Sequence, residues 1–207
     1  MRMNKLVAAM GIAVLAACAK EDKSAYDSAA KTDTAAAASA TATPSTPALT
    51  DANIAALLDE ANAADSAHGK MASTKGTNAD VKAFGVLMMN DHHALRKQGQ
   101  DLVTKLGVTP TPPANDSLPA KAQAVADSMT AMAKGAAWDR SYIDHEVMMH
   151  QQVLSLIDQA SSAAQNAELK DLLAKARPNI EMHLKRAQDI QGKLGSGAAD
   201  SSAKKTP

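Results

Sequence analysis

Six histidines carry most of the chemistry open to this chain: His68, His92, His93, His145, His150 and His183. Acids stand near them, with Asp65 three residues before His68, Asp91 beside His92 and Glu146 four before His150. Imidazole and carboxylate are common transition-metal ligands, and a spacing of three or four puts two donors on one helix face. Advancing about 100° per residue sets His68 near the centre of an apolar stripe, with Asp65 one turn back. His92 shares a face with Met88 and Leu95, whereas His93 points away. Glu146 falls near the middle of a third stripe, with His150 at its shoulder and His145 at its other edge. His183 lies inside a fourth. Each of four helices thus offers one inward imidazole, within about 60° of its stripe centre.

Burying so many polar groups unpaired would cost kcal/mol each. A metal would satisfy several together, so His68, His92, Glu146, His150, His183, Asp65 and Asp91 form the candidate metal set. The plainer account is a core whose histidines hydrogen-bond to neighbouring helices and whose methionines fill gaps.

Four long helices must position these groups. Thr50 or Asp51 can cap the first, whose stripe includes Ile54, Leu57, Leu58, Ala61, Ala64, Met71 and Ala72. Gly76-Thr77-Asn78 breaks it. The second carries Val81, Phe84, Met88, Leu95, Leu102 and Leu106 and stops at Gly107. Thr109-Pro110-Thr111-Pro112-Pro113 then reads as a stiff surface crossover. Ser117 and Pro119 start a short helix through Met129 and Met132, ended by Lys134-Gly135. The third long helix presents Trp138, Tyr142, Ile143, Met149, Val153, Leu156 and Ile157. The fourth runs from about Ala167 to Leu194, with Pro178 inside its stripe to kink it or mark its first turn. Two helical hairpins joined by a long connection is the layout of a crossover four-helix bundle.

The rest of the chain is of a different kind. Arg2 and Lys5 precede an apolar stretch, Leu6 to Ala17, which is too short for a membrane-spanning helix and has the shape of a secretory leader. It ends in Leu15-Ala16-Ala17-Cys18, similar to a bacterial lipobox, and Cys18 is the one cysteine of the 207 residues. The expectation is cleavage after residue 17, lipid on Cys18 and, with Ala19 next, sorting to the outer membrane facing the periplasm. Residues 18–49, rich in Ala, Ser and Thr, read as a disordered tether, residues 50–194 as the bundle and residues 195–207 as a disordered tail. With 22 basic and 22 acidic residues there is no basic footprint for nucleic acid. Four aromatic residues and no strand-like runs argue against a β-sandwich or barrel.

Several local runs are more specific. Asp80-Val81-Lys82-Ala83-Phe84 leads into Met88-Met89-Asn90-Asp91-His92, and Lys105-Leu106-Gly107-Val108 precedes the proline-rich crossover. Gly135-Ala136-Ala137-Trp138-Asp139-Arg140-Ser141-Tyr142 follows, then His145 to His150, and Pro178 with His183. On these features the stretch from about Leu49 to Leu194 resembles a family of exported bacterial proteins with a domain of unknown function, often labelled outer membrane proteins. The resemblance implies a ferritin-like bundle and an exported location, and little about activity.

Ferritin-like di-iron sites take a Glu from two helices and a Glu-x-x-His pair from each of the other two. Asp65-x-x-His68 has that spacing with a shorter acid. Glu146 and His150, however, are four apart, and the second and fourth helices lack an inward Glu. Zinc or copper therefore suits the set better than iron, and haem, with so little aromatic surface to receive it, ranks last. No nucleophile–base pair or phosphate loop is present, so binding is expected before catalysis. The alternative is a non-catalytic envelope or stress-related interaction module with structural histidines. The residues name no protein partner beyond the membrane reached through Cys18.

Overall fold

The computed structural model describes residues 49–203. The leader, Cys18 and most of the tether lie outside them. Helix α1 (Asp51–Lys75) begins at a reciprocal cap. The Asn53 amide donates to Thr50 Oγ1, and the Thr50 amide donates to Asn53 Oδ1, both at 3.1 Å. Helix α2 (Ala79–Leu106) starts on Asn78, whose Oδ1 accepts from the Asp80 and Val81 amides at 2.8 and 3.3 Å. It stops at Gly107, where φ is +66°.

The crossover then runs along the surface, as its prolines predict. Its middle is fastened to the start of α1. The Thr111 amide donates to the Ala52 carbonyl at 3.1 Å, and Asn53 Nδ2 donates to the Thr111 carbonyl at 2.8 Å. Helix α3 (Leu118–Ala131) carries Pro119 in its first turn, where the missing amide costs nothing. Helices α4 (Ala136–Ala163) and α5 (Ala167–Ala203) complete the set. Asp51 ties the start of α1 to the α4–α5 turn by accepting from the Gln165 and Asn166 amides, at 2.8 and 3.0 Å. Pro178 sits exposed inside α5, and the helix is continuous through it. The helix also continues past Leu194, where the sequence predicts a frayed tail. Among the described residues no helix is long and apolar enough to cross a membrane.

The architecture is an all-α bundle. Helix α1 pairs chiefly with α2 and α4 with α5; α2 faces α5, α1 faces α4, and α3 leans on α1 and α4. The first pair is unusually close. A Cβ placed on Gly85 would lie 2.7 Å from the Gly69 carbonyl oxygen, the Ser73 nitrogen and Ala72 Cβ. A Cβ on Gly69 would lie 2.7 Å from the Gly85 carbonyl oxygen and the Met89 nitrogen. Only hydrogen at both positions lets the two backbones touch.

Two apolar clusters fill the interior. One gathers Ile54, Leu95, Val153, Ile157, Leu169, Leu173 and Ile180. The other gathers Val81, Phe84, Met88, Met129, Trp138, Tyr142, Ile143 and Ile190. Each large side chain fully buried here contributes about 1.5–3 kcal/mol. Trp138 stacks on Tyr142 with ring centroids 5.6 Å apart and donates its Nε1 proton to the Met129 carbonyl at 2.8 Å. Asp139 beside it accepts from the Thr77 and Asn78 amides at 2.9 and 2.8 Å, fixing the α1–α2 turn onto α4. Along every long helix the two clusters are separated by the same thing: the histidines and acids.

Candidate metal centre

Between residues 61 and 72 of α1 stand Asp65 and His68. Between 88 and 95 of α2 stands His92, between 143 and 153 of α4 stand Glu146 and His150, and between 180 and 187 of α5 stands His183. All six are buried, at 0–3 % exposure. The inward set read from helical periodicity is therefore brought to one level of the bundle, while His93 is exposed. The level divides into two groups, not one. In the first, His92, His150 and His183 each offer a nitrogen, all within 4.8 Å of one another. In the second, Asp65, His68 and Glu146 offer ligand atoms within the same limit.

The hydrogen bonds of the first group fix its protons. Asn62 Nδ2 donates to the Leu58 carbonyl at 2.7 Å, which turns Asn62 Oδ1 toward His92. His92 Nδ1 donates to that oxygen at 2.9 Å. His150 Nδ1 donates to the Glu146 carbonyl at 2.9 Å, and His183 Nε2 donates to Asp91 Oδ2 at 2.9 Å. A neutral imidazole has one N–H, and in each ring it is spent on an acceptor outside the trio. What remains is a lone pair on His92 Nε2, His150 Nε2 and His183 Nδ1, and none of the three has a hydrogen-bond partner. Burial keeps the rings uncharged. It lowers His150 to about 4 and lowers His183 although Asp91 pulls the other way. His92 is pushed well below 6.5 by burial and then by its two imidazole neighbours. Three lone pairs with no donor among them are what a metal's coordination shell requires, and the outward N–H bonds orient the rings as in histidine-ligated metal sites.

The second group is carboxylate-rich. Both oxygens of Asp65 and both of Glu146 lack hydrogen-bond partners, as does His68 Nδ1. His68 Nε2 faces the Ala122 carbonyl of α3 at 3.3 Å, so its proton also points out. Burial raises Asp65 to about 7, and burial followed by Asp65 raises Glu146 well above 4.5. The acids also reach the other group: Asp65 Oδ2 is 3.7 Å from His92 Nδ1, and Glu146 Oε2 is 3.5 Å from His150 Nδ1.

Asp91 belongs to neither group; it is half-buried and serves to hold His183. Three contributors escaped the helical projection. His145, placed at the stripe's edge, is buried with its ring centroid 5.2 Å from that of His68, and its Nε2 has no partner. Burial, then the neighbouring His68, lowers it to about 4. Tyr142, read as an apolar contact, turns an unpartnered hydroxyl to this region, and burial with Glu146 and Asp65 raises its phenol well above 10. Asn62 gave no signal, since its role depends on the rotation of its own amide. The ferritin-like di-iron pattern is not reproduced, because the inward polar residue is His92 on α2 and His183 on α5.

Ten buried nitrogen and oxygen atoms in and beside this level lack a partner. At about 1–3 kcal/mol each, leaving all of them bare would rival the whole stability of a domain, about 5–15 kcal/mol. Something must satisfy them. No curated protein and no solved structure gives a significant match to this chain. One family does, described as Domain of unknown function (DUF4142), and it covers residues 31–190, from before α1 into α5. Every donor residue of both groups lies within that match, and the chain belongs to this family.

Proposed function

We propose that the protein binds a transition metal, zinc or copper, through His92, His150 and His183, and holds it as a store or buffer. One observation carries this reading: three buried imidazoles bring ring nitrogens within 4.8 Å of one another, and each ring keeps one nitrogen without a hydrogen-bond partner while its other nitrogen is committed to an acceptor outside the trio. Nitrogen donors of this kind favour zinc and copper over harder ions. The lipobox-like Leu15-Ala16-Ala17-Cys18 supports a lipid-anchored protein facing the periplasm, and the helical hairpins support a ferritin-like arrangement.

The test is thermal denaturation of the metal-free full chain with added zinc or copper. A ligand that binds only the folded state at a hundred times its Kd stabilises it by about 2.7 kcal/mol. The melting temperature of the parent chain and of His93→Ala should rise, and that of His150→Ala or His183→Ala should not. Because burial already keeps these rings unprotonated, the rise should persist below pH 6.5 and fade only as the pH falls toward the lowered value of His150, about 4. If every variant responds alike, or none does at neutral pH, the trio is structural and the interaction-module reading replaces this one.

A further inference from the structure

The second group is made of different residues, drawn from α1 and α4. We propose that Asp65, His68 and Glu146 form a separate cation site that takes a divalent ion of harder preference, manganese being the type, with its open side toward an apolar cavity. Although α4 also carries His150, the site shares no ligand residue with the histidine trio. All three side chains are buried, at 1, 3 and 0 % exposure, and five of their ligand atoms are without hydrogen-bond partners. Once deprotonated by the incoming ion, two carboxylates with one neutral imidazole supply two negative charges, matching a divalent ion, and their oxygens suit manganese better than copper.

Three protein donors leave coordination positions unfilled, and the surroundings indicate what faces them. A cavity of about 910 Å³ between α1, α3 and α4 reaches His68 and His145. Its walls include Leu57, Val125, Met149 and Leu156. His145 stands beside the site with an unpartnered Nε2, placed to join the ion or to hold a molecule bound to it. The chemistry that fits is a small ligand with an oxygen or nitrogen head for the metal and an apolar body for the cavity.

Manganese is the probe, because the ion free in solution has an electron paramagnetic resonance signal that weakens on binding. Titrating the metal-free full chain should reveal one manganese per chain. Asp65→Asn and His68→Ala should weaken that uptake by at least about tenfold, with circular dichroism confirming that the helices persist. His183→Ala, which removes a trio ligand, should leave it intact. The two sites are thus judged by separate variants, and a failure of zinc at the trio leaves the manganese result standing. No uptake by the parent chain below millimolar manganese, or equal uptake by Asp65→Asn and the parent, overturns the proposal.

Discussion

Alanine at Gly85 and alanine at Gly99 are the same chemical change on the same helix, and the structure gives them opposite signs. In a helix interior Gly→Ala gains about 0.8–1 kcal/mol from backbone propensity. At Gly99 nothing lies within 4 Å of the new Cβ, so that gain should survive. At Gly85 the Cβ meets two backbone atoms of α1 and Ala72 Cβ at 2.7 Å. Backbone cannot rotate aside, so α1 and α2 must separate by several tenths of an ångström along their closest contact. Overpacking of this kind costs about 1–3 kcal/mol. Set against the propensity gain, Gly85→Ala should lose up to about 2 kcal/mol. For a chain of this size 1 kcal/mol moves Tm by about 2–4 °C. Thermal melts followed by circular dichroism should therefore show Gly99→Ala above the parent and Gly85→Ala below it. A Gly85→Ala protein as stable as Gly99→Ala would refute the close-contact argument.

Acid should weaken the metal-free protein. His145 and His150, at about 4 in the fold against 6.5 when free, contribute stability that is present above pH 6.5 and lost as the pH falls toward 4. The loss runs at about 1.4 kcal/mol per pH unit for each. Asp65 acts in the opposite sense, its contribution being complete below its free value of 3.8 and lost as the pH rises through about 7. Five lowered histidines outnumber the two raised acids of this level, so urea melts should show less stability at pH 5 than at pH 7.5; equal stability would refute the sign. Inserting a few Gly/Ser residues after Pro112 should cost under about 1 kcal/mol, because closure entropy grows slowly with length and the Thr111 bonds to α1 precede the insertion. A large fall in Tm would mean that the crossover is packed throughout. Cys18→Ala should move the chain out of the membrane fraction, and a normally cleaved variant that stays bound there would remove the anchor.

Much of the fold was legible because caps and periodicity are local. Thr50, Asn78, Gly107 and Pro119 each mark a boundary by their own backbone chemistry, and the structure starts or stops helices beside them. Inward directions were legible for the same reason: an angle around a helix depends only on that helix. Partnership was not. Whether His92 faces His150 or Asp65 depends on how three helices are rotated against one another, so one expected cluster became two groups. His145 failed at the stripe's edge, where a few degrees decide burial and where α3, a separate element, supplies the cover. The Gly135–Tyr142 run was recognisable as a pattern, but the reason for it is tertiary: Trp138 reaches α3, and Asp139 reaches the α1–α2 turn.

The trio draws His92 from the first hairpin and His150 and His183 from the second. Within each hairpin the helices are in broad contact; between hairpins the contact is thinner and is interrupted at mid-height by this polar level. A cation held by the trio would then act as a reversible cross-link over that seam. Its strength would follow the free metal concentration. Amide exchange that requires the hairpins to part should slow on loading, while fraying within one hairpin should not. Unloading and the parting of the hairpins would be a single motion, and the lifetime of the bound ion would be set by how often the bundle breathes along that line.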